Sequence, residues 1–504
     1  MLSIRTTSAC WPKPMLVCWW PRSLPNLCRK PGMRKKLSYS TCRSQSLRMS
    51  GSQAPADLKP RDFLYGGGGR ENARGRRVPG GLRRVGAVLL GLLVAIGFPP
   101  ALAQTAKEDS VAKRARADYD PLGVESRDLL ARLGIPANPA TGSFLIFPKF
   151  KMGVEHDDNI FRIEEDVRSD SILRFQPSVR VKSDWDNHAL NFSAGANVGR
   201  FNENGSEDYE DYNFGTSGRV DLSERTRLGA GIAFSKAHTA RSSPDDSGLG
   251  VPLTENVETT YNLNAAFKGE RFSFRLVGKA EIIDFDDAGP INNDDQDRAE
   301  YEGRFRVGYE FVVGTTLFVE PRYNIVEYDD TFDDSGLQRS GGGYEVQGGF
   351  SWDISGVTFL ELGAGFLQQK RDDTRLKTID GISFSGDFIW NATDLMTLTS
   401  RLSRSVEETT ILDATGILKT EWGLAMDYDP LENLIFNLEG AFKNEKFEGV
   451  SREEDTIKFQ FGAKYIPRPN FVAELKYRFE KRDSNEVGES FKDNRWVASL
   501  TLRL

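Results

Sequence analysis

Residues 298–328 read RAEYEGRFRVGYEFVVGTTLFVEPRYNIVEY, and the rest of the chain can be interpreted from their pattern. The side chains alternate in steps of two between an apolar file that starts at Ala299 and a charged file that starts at Arg298. Such a period is typical of β-strands, because successive side chains of a strand point to opposite faces of the sheet. A short stretch at 312–315 interrupts the alternation, which then resumes. The segment therefore predicts two long strands joined by a tight turn.

The environment of this hairpin follows from the length and chemistry of its two faces. Strands of soluble domains usually run about 5–6 residues, whereas a strand that crosses a bilayer needs about 9–11. The charged file carries Glu302, Arg306 and Glu320, and burying such groups in a soluble core would be costly. They can instead line a water-filled lumen while the apolar file contacts lipid. We therefore predict an all-β chain that forms a transmembrane antiparallel up-and-down β-barrel.

Similar alternation begins at Phe144 and recurs to the end of the chain, and it predicts about 18 strands within residues 143–504. After the first strand, the predicted strands lie at 171–182, 188–201, 209–222, 226–238, 257–268, 271–283, 298–311, 315–328, 342–352, 357–369, 378–390, 395–406, 414–428, 433–444, 455–466, 470–482 and 493–504. Short turns follow the even-numbered strands, and longer polar loops follow the odd-numbered ones. In outer-membrane barrels the short turns are periplasmic and the longer loops extracellular. We expect the same sidedness here.

Aromatic residues of the apolar file gather near both ends of the predicted strands. Trp352 and Trp390 come just before short turns, and Tyr261 and Tyr323 lie near long loops. A barrel in lipid carries an aromatic belt at each membrane interface. The repetition of this placement supports the membrane interpretation.

The N-terminal region differs from the rest of the chain in charge. Residues 1–104 contain 18 Lys and Arg against 3 Asp and Glu, which leaves 48 basic and 70 acidic residues in 105–504 from the totals of 66 and 73. Arg83 and Arg84 precede an apolar core at 85–98, and Ala101-Leu102-Ala103 follows it. This order predicts a secretory signal peptide at 81–103 that is cleaved near Ala103. The core is too short for a spanning helix, which needs about 20 residues.

Two further segments flank the predicted signal. Residues 1–80 are basic and without periodicity, and we interpret them as a mis-annotated or untranslated leader, with an unusually long n-region as the alternative. Residues 104–142 are expected to form a periplasmic N-terminal segment. A short helix there would place Leu129, Leu130 and Leu133 on one face. A linker is the preferred interpretation of this segment, and an element that plugs or steers the pore is the alternative.

The cysteines, histidines and acidic residues show no pattern that is typical of an enzyme. All four cysteines precede residue 104, and the chain beyond it suits an oxidising compartment. The three histidines, His156, His188 and His238, lie beside no recurring serine or carboxylate constellation. Acidic loops such as 284–297 lack the twelve-residue spacing of an EF-hand. We expect no catalytic residue, cofactor or bound metal, and no nucleic-acid partner.

The charged file supplies the candidate functional residues. Eighteen strands enclose a lumen wide enough for water, and opposite charges on neighbouring strands can pair. One interpretation is that these side chains keep the lumen hydrated and its wall rigid. A more specific interpretation is that they line a polar channel and that their charges determine which solutes pass. The candidate lumen-lining residues are Arg174, Arg180, Glu302, Arg304, Arg306, Glu320, Arg322, Glu361, Lys419, Glu421, Glu474 and Arg478.

Residues 153–184, GVEHDDNIFRIEEDVRSDSILRFQPSVRVKSD, resemble the Putative beta-barrel porin 2 family of Gram-negative outer membranes. The resemblance is carried by DDNI at 157–160, by SD at 169–170 and by Pro177 in the second strand. The segments YDPLG and GSF, which end at Gly123 and Phe144, also resemble the family, but about twenty residues separate them here. The resemblance implies an integral barrel, often encoded with machinery for capsular or exopolysaccharide synthesis. It transfers no catalytic residue.

The leading functional hypothesis is passage of a hydrophilic substance across the outer membrane, with export of an exopolysaccharide or capsular polysaccharide as the first candidate. A general or solute-specific uptake porin is the second, and a structural or adhesive barrel is the third. The expected partners are outer-membrane lipid and lipopolysaccharide, the barrel assembly machinery and a periplasmic polysaccharide co-polymerase.

Overall fold

The computed structural model describes residues 143–246 and 248–503. The signal at 81–103, the leader at 1–80 and the helix expected within 104–142 lie outside the described residues. Within them, eighteen β-strands of 12 to 16 residues follow one another. Two short 3₁₀ turns, Gly205–Glu207 and Asp294–Gln296, interrupt the connections. Among the described residues, no helix is long and apolar enough to cross a bilayer.

The strands are numbered in chain order. They are β1 Phe144–Asp157, β2 Asp170–Ser183, β3 Ala189–Phe201, β4 Tyr209–Ser223, β5 Thr226–His238, β6 Glu255–Lys268, β7 Phe272–Phe285, β8 Arg298–Val312, β9 Thr315–Tyr328, β10 Gly341–Asp353, β11 Thr358–Arg371, β12 Ile379–Thr393, β13 Met396–Glu407, β14 Gly416–Leu431, β15 Leu434–Glu448, β16 Glu453–Arg468, β17 Phe471–Ser484 and β18 Phe491–Arg503. The predicted strands match these bounds to within a few residues.

Every strand pairs antiparallel with its neighbours in sequence, and β1 also pairs with β18, so the sheet closes on itself. The predicted antiparallel up-and-down barrel of about 18 strands is therefore confirmed. Closure satisfies the backbone groups that the edge strands of an open sheet would leave unpaired, which a bilayer requires. The register at the seam places Lys149 opposite Arg503 and Asp157 opposite Arg495.

The connections differ in length at the two ends of the barrel. Those after even-numbered strands contain two to five residues, and those after odd-numbered strands contain four to sixteen. We refer to these as the short-turn end and the long-loop end. At the short-turn end, Gly314 and Gly356 have φ angles of +82° and +71°. Glycine suits these positions because side chains disfavour positive φ.

The described residues form no continuous apolar core inside the barrel. Large apolar side chains are mostly exposed on strands, while carboxylates such as Glu155, Glu454 and Asp493 are buried. The small apolar cluster Ala414, Ile417 and Phe447 lies at the long-loop end. This distribution inverts that of a soluble protein and matches a barrel whose apolar face contacts lipid.

Candidate functional site

The outer surface is apolar over the middle of the strands. Leu317 and Val319 of β9 are 49% and 53% exposed. Soluble monomers rarely expose apolar patches of this extent. Other exposed apolar side chains are Phe305, Val346, Leu362, Ile382, Leu424, Ile457, Leu475 and Leu500.

Aromatic side chains are exposed towards both ends of the strands. Trp352, Trp390, Tyr428 and Tyr465 are exposed near the short-turn end, and Tyr261, Tyr323, Phe366 and Trp496 are exposed on the long-loop side. This placement matches the two belts expected at the interfaces of a bilayer.

A cluster around Arg306 joins strands that are not neighbours. The Arg306 guanidinium on β8 lies 2.5 Å from the Glu320 carboxylate on β9 and 2.7 Å from that of Glu361 on β11. It also lies over the ring of Phe318, 4.0 Å from the centroid. The contact with Glu361 passes over β9 and β10. Inward-pointing side chains of a closed sheet converge, so a contact of this kind belongs to the concave face.

A second cluster lies beside the first on the same strands. Arg322 is directly paired with Arg304 and with Glu345 in the register of β8, β9 and β10. Its guanidinium is 3.1 Å from Glu345 and 3.5 Å from Glu302, which also lies 2.8 Å from Arg304. Each arginine therefore has a carboxylate within reach. Such pairing lowers the cost of holding these charges in a half-buried wall.

The remaining candidates lie in other sectors of the barrel. Lys419 contacts Glu407 at 2.7 Å and Glu421 at 3.5 Å. Glu474 lies 2.8 Å from Lys151 across the seam and 3.1 Å from Lys476. Arg174 lies 3.1 Å from Glu155, and Arg478 donates a hydrogen bond to Gln460 at 2.8 Å. Arg180 is half-buried and lies opposite Phe147 and Ser193 in the strand register. The structure thus gathers six candidates on β8, β9 and β11 and distributes the other six. That all twelve line a water-filled lumen stays a prediction.

Two hollows lie within the barrel wall and loops. One, of about 590 Å³, is lined by carboxylates such as Glu300, Glu345 and Glu408 and by the amides of Asn324 and Gln369. The buried Gln369 side chain accepts a hydrogen bond from Asn324, and its own amide N–H has no partner among the described residues. The other hollow, of about 570 Å³, is lined by Arg401, Glu421, Lys458, Arg478 and Glu480, among other residues. Both hollows therefore offer hydrogen-bond donors and hydrogen-bond acceptors.

The connection 408–415, between β13 and β14, is fixed by two buried arginines. Arg339 is 3% exposed and donates to the carbonyls of Thr409 and Ala414, both at 2.9 Å, while its Nε lies 2.6 Å from Asp333. Arg371 lies 2.7 Å from Glu408 and donates to the Thr415 carbonyl at 2.9 Å. Tyr328 donates to Glu408 at 3.0 Å from the end of β9. This loop is therefore held by hydrogen bonds and an ion pair to β9, β11 and the β9–β10 connection.

The connection between β5 and β6 reaches this fixed loop. The Asp245 carboxylate accepts a hydrogen bond from the Thr409 hydroxyl at 2.7 Å and one from the Thr410 amide at 3.3 Å. On β17, Arg482 donates to the Ser242 carbonyl at 3.2 Å. These contacts link parts of the ring that are far apart in strand order.

Burial shifts the pKa values of two acids in the loops. It raises the pKa of Asp245 above the ordinary value of 3.8, because the charged form loses solvent there. Burial, followed by repulsion from Asp284 and Asp329, raises the pKa of Asp297 to about 7, although the Phe285 amide donates to its carboxylate. Both groups take up protons more readily than an exposed aspartate.

Three carboxylates could be considered as metal ligands. Oxygen atoms of Asp157, Asp158 and Asp493 lie within 4.8 Å of one another. Arg162 lies 2.8 Å from Asp157 and 3.5 Å from Asp493, and Arg495 lies 2.7 Å from Asp493. Because arginines already contact two of the three carboxylates, the arrangement works as an ionic tie between β1 and β18.

Sequence reasoning missed the loop residues that organise the long-loop end. Asp245, Arg339 and Arg371 carry no periodic signal, because they lie in connections or at a strand terminus. Pro244 marks a turn beside Asp245, but it does not indicate where the loop goes. The hydrogen bonds that define these positions join segments more than thirty residues apart in sequence.

A closed eighteen-stranded sheet with an apolar outer band and paired charges within defines a porin-type outer-membrane β-barrel. The comparison with known families agrees, since the model of the Putative beta-barrel porin 2 family matches residues 136–504. The chain belongs to this family, as its sequence resemblance indicated. No match was found among curated proteins.

The chain is also similar, at low sequence identity, to several solved structures. OccK5 (OpdH) of Pseudomonas aeruginosa is 13% identical with a TM-score of 0.39, and the match covers 72% of this chain and 98% of that one. OccK3 (OpdO) of the same organism is 15% identical with a TM-score of 0.40, covering 71% and 96%. The FrpB iron transporter of Neisseria meningitidis, F3-3 variant, is 10% identical with a TM-score of 0.42, covering 71% and 63%.

Proposed function

We propose that this chain is an outer-membrane channel that carries a hydrophilic substance through the interior of its barrel. The observation that carries this proposal is the separation of side chains between the two faces of the sheet. Val319 and its apolar neighbours are exposed outside, while Arg306, Glu320 and Glu361 pair across strands on the concave face. Charged walls need water or polar partners, and a barrel of eighteen strands is wide enough to hold water.

The first candidate cargo is an exopolysaccharide or capsular polysaccharide that leaves the cell. The sequence resemblance implies this role, and the chemistry of the hollows suits it. Carboxylates such as Glu300 and amides such as Asn324 and Gln369 can accept and donate hydrogen bonds to the hydroxyl groups of a saccharide. A periplasmic polysaccharide co-polymerase would then deliver the polymer to a mature chain that begins near Gln104.

The second candidate is uptake of small hydrophilic solutes. One observation favours it over polymer export. Asp245 and Thr409 meet at the long-loop end across the interior of the ring, and this contact narrows the path available to a bulky chain. A solute of a few hundred daltons would meet less obstruction.

Permeation into liposomes tests the channel itself. The purified barrel, reconstituted with neutral saccharides of increasing size, is expected to let a monosaccharide enter and the liposomes swell. A gel band that shifts on heating shows that the reconstituted protein is folded. If such folded protein admitted no solute, the proposal would be contradicted.

Deletion of the gene separates the two cargoes. Loss of extracellular polysaccharide, with polymer retained in the cell and release restored by the wild-type gene, is the result expected for export. Unchanged polysaccharide together with slower entry of a small solute would instead support uptake.

A further inference from the structure

The segment 239–246, which we call the strap, follows β5. Its first residues, which form its base, are held by several contacts. Thr239 donates to the Thr254 carbonyl at 2.8 Å across the start of the loop. Arg241 is buried and lies 2.8 Å from Glu207, in the neighbouring connection between β3 and β4, and 3.2 Å from Asp246. It also donates to the Val251 carbonyl at 2.7 Å. The strap is therefore anchored on its own side of the barrel by ionic and hydrogen bonds.

The tip of the strap lies against the opposite side of the mouth. Between the β5–β6 and β13–β14 connections, eight strands lie on one side of the ring and ten on the other. Asp245 nevertheless contacts Thr409 and Thr410 of the β13–β14 connection. Ser242 contacts Arg482 on β17, and five strands separate β17 from β5 by the shorter route. The strap and the β13–β14 connection therefore meet at the long-loop end, although they leave the ring at strands that are far apart in order.

The two ends of the strap are held in different ways. At the base, the buried Arg241 side chain makes one ion pair outside the strap, with Glu207, and one with Asp246 at the end of the strap itself. At the tip, the hydrogen bonds are those of Asp245 with a hydroxyl and an amide, and that of the Ser242 carbonyl with Arg482. The receiving loop is itself fixed by Arg339 and Arg371. If the mouth opens, the joint between the tip and this loop is the one expected to part.

The strap also forms part of a cavity wall. Thr239, Ala240, Ser243, Pro244 and Asp245 line the hollow of about 590 Å³ together with side chains of the barrel wall. With the tip docked, the strap forms part of this hollow's wall at the long-loop end. A solute that passes the mouth at this point must either fit beside the strap or displace it.

We propose that the strap is a movable barrier that hinges at Arg241, closes the long-loop mouth to large solutes and opens when Asp245 leaves Thr409. This inference rests on the proposed channel function and adds to it the element that sets the size of the cargo. Small ions and monosaccharides pass beside the docked strap. Oligosaccharides and polymers pass when its tip is released.

A disulfide across the joint tests the barrier. All four native cysteines precede residue 104, so the variant Asp245→Cys with Thr409→Cys introduces one pair into the predicted mature chain. After oxidation it should lose swelling with a pentasaccharide at least tenfold while still conducting small ions, and a reducing agent should restore the swelling. The two single-cysteine variants under the same oxidant are the controls: each lacks one side of the joint, so their pentasaccharide swelling should not fall on oxidation.

A shortened strap gives an independent measurement. Removal of residues 242–245 keeps Arg241 and should raise single-channel conductance at least twofold. Pentasaccharide swelling that persists in the cross-linked protein, a pair that does not cross-link, or wild-type conductance of the shortened variant would each overturn the barrier. If folded wild-type and shortened barrels both admitted no solute, the proposed channel function would fail instead. Faster pentasaccharide swelling with the shortened variant than with the wild type, while a monosaccharide enters through both, would support the barrier.

Discussion

Asp245 is the residue that makes the proposed joint of the strap sensitive to pH. Its carboxylate is buried against Thr409 and the Thr410 amide, and the charges that lower its pKa are those of Arg298 and Arg339. Burial outweighs them, so the pKa is raised above 3.8 while the strap is docked. An exposed aspartate in the released strap would keep its ordinary pKa. Protonation therefore favours the docked state.

The sign of this linkage gives a pH prediction. The docked strap is most stable below pH 3.8, and its stability falls as pH rises through the raised pKa of Asp245. Within that window the docking equilibrium should change by at most about tenfold per pH unit. Single-channel recordings from pH 4 upwards should show a growing fraction of open time.

The matched variant is Asp245→Asn, which keeps a hydrogen-bond acceptor but cannot ionise. Its open fraction should stay low and vary less with pH than that of the wild type. Asp297, with a pKa of about 7, titrates in both proteins, so the difference between them isolates Asp245. Equal pH profiles for the two proteins would show that Asp245 does not control docking.

The residues that could be found from sequence are those whose position follows a period. Arg306, Glu320 and Glu361 share the charged file, and the structure brings them into contact. Asp245 and Arg339 could not be found in this way, because their roles depend on how long loops fold across the mouth. Loop conformation is set by contacts between segments distant in sequence, and alternation carries no information about them.

Strands are the elements that the sequence describes best. Each crosses a bilayer with two chemically different faces, so the period of two persists for the whole length of the strand. The largest error, four residues, is at the long-loop end of β15, and errors of three residues occur at the short-turn ends of β12 and β14. β14, for example, continues to Leu431 and includes a shift in register between Tyr428 and Leu431. Such irregularities break the alternation before the strand ends.

Close packing between strands adds a constraint that alternation does not show. At Gly349 of β10, an added Cβ would overlap the Leu362 carbonyl oxygen and lie 2.6 Å from the tip carbon of Phe318. Gly349→Ala should therefore destabilise the barrel by about 1–3 kcal/mol. The heat-modifiable gel band should unfold at a lower temperature.

The control for this substitution is Gly423→Ala on β14, where no atom lies within 4 Å of the added Cβ. It should unfold at the wild-type temperature. Equal stability of the two variants, both close to wild type, would mean that β10 and β11 do not pack as closely as described.

At the scale of the whole molecule, the two ends of the barrel should face different compartments. Val487 in the β17–β18 loop is 97% exposed, and Val313 in the β8–β9 turn is 91% exposed. Longer loops are extracellular in outer-membrane barrels. An impermeant maleimide applied to intact cells should therefore label Val487→Cys and spare Val313→Cys. In lysed cells both should react, and labelling of Val313→Cys alone in intact cells would reverse the orientation.

The central claim is that the charged face of the sheet lines a conducting, water-filled lumen. Ser403 lines one of the hollows within the barrel and is paired with Glu421, whereas its neighbour Leu402 is paired with exposed Trp422. Single cysteines at these adjacent positions are therefore expected to face water and lipid, respectively.

Single-channel recording of Ser403→Cys and Leu402→Cys with a charged, membrane-impermeant thiol reagent is the most direct measurement. The account predicts that the reagent changes the conductance of Ser403→Cys within one recording and leaves that of Leu402→Cys unchanged. A response of Leu402→Cys alone would place the apolar face in the lumen. A folded wild-type barrel that conducted no current would contradict the channel itself.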